Sequence, residues 1–342
     1  MSLRHRIWVS STRTILRFRL SVFVMLCLAL GGTSQNIVAP KQILYLLSLG
    51  LIGWALSTKK TNYDIRFRQF PLMVAIAFVG LFGLYVLPLP PAIWTHLPGR
   101  ENIVQGFELA NMPLPWLPVS LTPEITLFSL LDFLPPFAII LTLLRSASKQ
   151  EIKTAFYALL LMAVASVFLG LLQLIAPASG LYLYKIVNVG YPVGFFSNAN
   201  HQASFLLMVL PFALRLSFAN TQDIEIGMMT TTQVRALGIM LTILFLTGIS
   251  LTGSLAGYLL ALPVTLASVI VVGRISKKHL PYFGGLIILI LTIVIVDTVF
   301  LGGQAGQLME KVTQDSAISR TSIFATTREA IRDYPLIGTG PG

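Results

Sequence analysis

The sequence predicts an all-α polytopic transmembrane bundle of about nine spans, and three observations predict it. The 342 residues are 55% apolar and only 11% charged, against roughly 25% charged in a soluble domain. The apolar residues gather in uncharged runs of roughly 16–20, the length that crosses a bilayer as a helix. Basic residues fall on alternate sides of those runs, as the positive-inside rule requires. With no water in the bilayer core, each run must close its own backbone hydrogen bonds, so it is a helix. The strict alternation of a membrane β-barrel is absent.

In chain order the spans fall near 20–38, 42–57, 71–88, 125–144, 155–176, 202–219, 236–253, 256–273 and 282–301, making 1–301 the membrane domain and 302–342 the start of an outer loop. The first follows basic residues and opens on an apolar run over 20–30; a cleaved signal peptide is the alternative there. The second is short and open to extension into its flanks. The fourth carries Asp132 just before Pro135-Pro136, where a kink is expected to free carbonyls. Only Ser254 and Leu255 separate the seventh from the eighth, which predicts a tight turn with Gly253 and Gly257. The ninth holds Asp297 near its outer end. Acids inside spans are functional candidates, although Asp297 is shallow enough to reach the interface.

Seventeen of the 24 basic residues lie on one side: those from Arg4 to Arg19, then Lys59 to Arg68, Arg145 to Lys153, Arg215 with Arg235, and Arg274 to Lys278. That side is therefore cytoplasmic, with the N-terminus, and the C-terminal segment lies on the outer face. The net charge of +11 is a topology signal, not a nucleic-acid footprint, which needs a basic face on a folded module. Cys27 is the single cysteine and the four histidines are scattered, so no metal-ligand cluster is expected.

Three stretches on the outer face carry candidate chemistry. The loop near 89–124, entered through Pro88, contains Pro90, Pro91, Trp94, Pro98, Pro115 and Trp116. Proline fixes φ and tryptophan favours the headgroup level, so this loop anchors at the surface or grips a lipid-linked ligand. The second stretch, 189–202, brings Asn198, Asn200, His201 and Gln202 to the mouth of the sixth span. Such groups are costly in lipid; they either bind sugar hydroxyls and phosphate oxygens or cap the helix. The third, 319–335, reads as a short helix stopped at Tyr334-Pro335 and followed by Gly338, Gly340 and Gly342. Arg328 and Arg332 share one of its faces, and guanidinium forks suit phosphate oxygens, with glycines able to bring backbone N–H groups near an anion. Alternatively the arginines meet headgroups or pair with Glu329 and Asp333.

Three stretches, 194–203, 251–257 and 320–342, resemble the O-antigen ligase and polymerase family of bacterial envelope glycan transferases. Gly194-Phe195-Phe196-Ser197-Asn198-Ala199-Asn200-His201-Gln202-Ala203 is similar to that family's G-F-F-x-N-x-N-H-x-A segment. Leu251-Thr252-Gly253-Ser254-Leu255-Ala256-Gly257 resembles its T-G-S-R-A-G turn. The block from Arg320 through Asp333-Tyr334-Pro335 to Gly338, Gly340 and Gly342 resembles the opening of its large periplasmic loop. The resemblance implies a metal-independent, cofactor-free inverting glycosyltransferase of the bacterial inner membrane. Its donor is a glycan on undecaprenyl pyrophosphate, and its acceptor a sugar hydroxyl on a lipid-linked or polysaccharide chain, with bilayer lipids as the other partner and no nucleic acid. It implies donor-binding roles for Asn198, Asn200, His201, Arg320, Arg328 and Arg332, and structural roles for Gly194, Gly253, Ser254, Gly257, Pro335, Gly338 and Gly340. It places the essential histidine beyond Gly342, so a truncated member, inactive alone, is expected. Leu255 stands where the family usually has arginine, and Tyr191-Pro192 where many members carry one, with Lys185 the nearest base upstream. Three alternatives stay open: a polymerase of the same family, a transporter centred on Asp132, and a non-catalytic membrane partner.

Overall fold

The protein is described by a computed structural model covering residues 18–33, 39–58, 69–219, 229–273, 321–335 and 338–340. It is a helical, multi-pass membrane protein. Five helices are long and apolar enough to cross a membrane, namely Ala39–Ser57, Pro123–Arg145, Lys149–Ile175, Thr231–Leu251 and Leu255–Val272, with Phe18–Leu30 and Phe70–Val86 shorter apolar helices. The ninth expected span, 282–301, with Asp297, lies outside the described residues. By packing, the chain divides into two units, Met1–Ser34 with Lys149–Thr313, and Gln35–Ser148 with Gln314–Gly342. This is a partition by contact, distinct from the topological one at 301/302.

The first unit holds α1 (Phe18–Leu30), α8 (Lys149–Ile175), α9 (Ala199–Ser217), α10 (Thr231–Leu251) and α11 (Leu255–Gly273). Its core runs along α8, α9 and α10, through Ala163, Val167, Leu206, Val209, Leu210, Ala213, Phe245 and Ile249. Helix α9 packs on α8, α10 and α11, which explains why it is the most enclosed. Its start is Ala199 rather than 202, because the Asn198 side chain accepts from the Asn200 N–H and caps the first turn. A capping box between Thr230 and Gln233 starts α10 five residues before the expected position. In the first turns of their helices, Arg19 and Glu151 pair at 2.5 Å and tie α1 to α8.

The second unit holds α2 (Ala39–Ser57), α3 (Gln69–Val86), β1 (Pro88–Leu89), α4 (Pro91–Trp94), α5 (Glu101–Leu109), β2 (Leu117–Pro118), α6 (Pro123–Leu131) and α7 (Leu134–Arg145), with a last helix, α12, over 321–333. The expected kink in the fourth span is a break at Asp132-Phe133 between α6 and α7, with proline in the first turn of each. Phe78 of α3 stacks on Phe133 at that break, with ring centroids 4.3 Å apart. The proline- and tryptophan-rich loop is built, not extended. Strands β1 and β2 pair antiparallel at its base, and Trp94 is buried with its indole N–H donating to Pro115 O at 2.8 Å.

Candidate functional site

Two of the three stretches that carry the family resemblance meet in the first unit. The N-terminal end of α9 carries Asn200, and the α10–α11 turn carries Ser254, whose hydroxyl donates to Asn200 Oδ1 at 2.6 Å. The same Ser254 oxygen accepts the Gly257 N–H at 3.1 Å, so one side chain caps α11 and orients the amide of Asn200. The turn forms because Gly253, at φ 65°, reverses the chain just after the Thr252 cap. Gly257 lies against Ala203 of α9 so closely that an added Cβ would come within 3.0 Å of its methyl. Small residues let the two helices approach and bring the hydroxyl to the amide.

A second set of bonds sets the segment before α9. The Gln173 amide in α8 donates to Gly194 O at 3.0 Å and to Leu181 O at 3.1 Å, and its carbonyl accepts the Gly194 N–H at 2.8 Å. Ser166 donates to Gln202 Oε1 at 2.7 Å and accepts the Phe195 N–H at 3.2 Å. Gly194 has φ 58°, and a Cβ there would lie 2.6 Å from Gln202 Oε1, so no other residue fits. Tyr182 and Tyr184 close the loop; the Tyr184 hydroxyl accepts the Gly32 N–H at 2.9 Å. Burial raises the Tyr184 phenol above its ordinary pKa, with the Gly32 N–H pulling the other way.

Within this cluster the roles divide. Asn198 is a helix cap, Gln202 is buried structure, and Asn200 and His201 are exposed at the helix mouth. Of the four polar groups that the sequence places at this helix mouth, Asn200 and His201 are the exposed ones. Leu255, where the resembled turn has arginine, is exposed. Tyr191 and Pro192 precede Gly194, and Pro192 packs on Gly170 of α8. Gln173 and Ser166 were missed from sequence, although polar side chains inside an apolar run are the signal that finds them.

The third stretch belongs to the second unit. Arg328 and Arg332 lie exposed about one turn apart on α12, and Arg320 lies outside the described residues. Tyr334 ends the helix and donates its hydroxyl to Gly99 O at 3.3 Å, and Thr339 O accepts the Leu121 N–H at 2.9 Å. The glycine-rich end thus docks on the 88–122 loop. The Gly338 N–H is used by Tyr334 O at 3.2 Å, and Gly340 packs against Ser120. Pro335 is exposed.

Asp132 has two partners, Lys41 Nζ at 3.0 Å and the Tyr45 hydroxyl at 2.5 Å, both from α2. The helix break thus gives its carboxylate an ion-pair partner on α2. No protein family, curated protein or solved structure matches this chain.

Proposed function

We propose that this protein is a membrane glycosyltransferase of the O-antigen ligase kind, transferring a glycan from undecaprenyl pyrophosphate to a sugar hydroxyl at the periplasmic face of the bacterial inner membrane. The observation that carries this proposal is the Ser254–Asn200 hydrogen bond. It joins two stretches, distant in sequence, that each resemble a motif of that family. It leaves Asn200 and His201 at the exposed end of a packed helix, where amide and imidazole groups can hydrogen-bond sugar hydroxyls or phosphate oxygens. Pyrophosphate is a competent leaving group, and Arg320, Arg328 and Arg332 are suited to neutralise the charge it develops. About nine spans, a cytoplasmic N-terminus and a periplasmic C-terminal segment complete the proposal.

The test is glycan transfer in membranes from cells carrying the gene, with Asn200→Ala, His201→Ala and Arg328→Ala/Arg332→Ala. Losses of about a hundredfold are expected for the arginine pair, as for other removed charge-stabilising groups. Product on a lipid acceptor identifies a ligase, and a lengthened glycan ladder a polymerase. The ion pair at Asp132 favours a second reading, a transporter using the α6–α7 break. Loss of function in Asp132→Asn with the arginine variants unaffected establishes that reading and sinks the first.

A further inference from the structure

Arg100 is buried at 3% exposure in the loop between α3 and α6. Its Nη2 donates to Pro118 O at 3.0 Å and also to Val119 O. A guanidinium is a fork of five donors, so the Nε and Nη1 hydrogens have no protein partner among the described residues. Among those residues no carboxylate pairs with Arg100 either. Burial lowers the guanidinium's affinity for its proton, with Tyr334 acting the other way, yet arginine remains a cation. A buried cation held only by carbonyl dipoles is costly unless an anion completes it.

Arg100 lines a cleft with Leu97, Pro98, Val119, Tyr334 and Gly338, about 240 Å³ of empty space with its open mouth included. Its water-accessible volume is about 10 Å³, far below the roughly 300–1,000 Å³ of sites for drug-sized ligands, so it has room for a small ionic group and none for a whole glycan. The cleft stands where apolar helices end, since Val86 closes α3 and Pro123 opens α6. The same loop exposes Leu109 at 87%, Trp116 at 64% and Met112 at 57%, the profile of a segment lying at headgroup level. Phosphate is the abundant anion at that depth.

We propose that the Arg100 cleft binds the phosphate of a membrane lipid, with Nε and Nη1 donating as a fork to two of its oxygens. The site joins the proline- and tryptophan-rich loop to the chain after α12, and it does not depend on the protein being a glycosyltransferase.

The test uses the full chain in detergent, with native mass spectrometry counting retained phosphatidylglycerol against a phosphate-free glucosyl diacylglycerol. A parallel titration uses inorganic phosphate alone. Two variants are compared with the wild type. Arg100→Gln removes the fork, whereas Val119→Phe fills the cleft and leaves the backbone carbonyls that hold Arg100. The expected result is selective retention of phosphatidylglycerol by the wild type, weakened about tenfold or more in both variants. Competition by inorganic phosphate shows that the phosphate is recognised without its lipid; its failure to compete shows that the lipid is required. Wild-type retention in a folded variant of either kind overturns the proposal, as does equal retention of the phosphate-free lipid. If Arg100→Gln does not fold, Val119→Phe decides alone.

Discussion

Gly194 has both its backbone groups held by one amide, that of Gln173, which is fully buried. Its φ of 58° and the nearby Gln202 oxygen exclude a side chain. Gly194→Ala is therefore expected to cost about 2–4 kcal/mol, from strain and overpacking together. Thermal unfolding in detergent measures it, and a loss below that range shows that the segment relaxes. Gln173→Leu, which strands the Gly194 N–H and carbonyl, is expected to cost about 3 kcal/mol. Gly194 was legible from its place in a resembled motif; the partner of Gln173 was not, because it is 21 residues away. The converse holds for Asn198 and Asn200. Sequence put them at one helix mouth, and only the fold separated the cap from the exposed amide.

At the scale of elements, the break between α6 and α7 is the clearest case of a span that is not one helix. Pro135-Pro136 announced it. The partners of Asp132 did not show in the sequence, since Lys41 and Tyr45 sit on α2, some 90 residues earlier. Lys41 is nearly buried while Asp132 is about a third exposed, so the pair lies between the surface and interior limits. A double-mutant cycle with Lys41→Met and Asp132→Asn is expected to give a coupling of about 1–3 kcal/mol, with the double variant less destabilised than the singles sum to. A coupling near zero removes the ion pair from the account of how α2 meets the break. The α10–α11 turn was legible in place and length, through its glycines. Its contribution to the site was not, because the hydrogen bond from Ser254 to Asn200 spans 54 residues.

For the whole molecule, orientation is the testable consequence of the basic residues. Single cysteines placed at 63 and 223 in a Cys27→Ser background are expected to react with an impermeant maleimide only after the membrane is opened from the cytoplasmic side. A cysteine at 110 is expected to react in intact cells. The opposite pattern overturns the assignment of faces. Membrane class, helical character and the approximate position of the spans came from composition and runs, because a bilayer filters residues by solvation one segment at a time. The partition into two compact units, the Ser254–Asn200 contact and the enclosure of Arg100 came only from tertiary structure. Those depend on which helices lie side by side, and in lipid that choice rests on close packing of small residues and on a few distant hydrogen bonds, which hydropathy along the chain does not record.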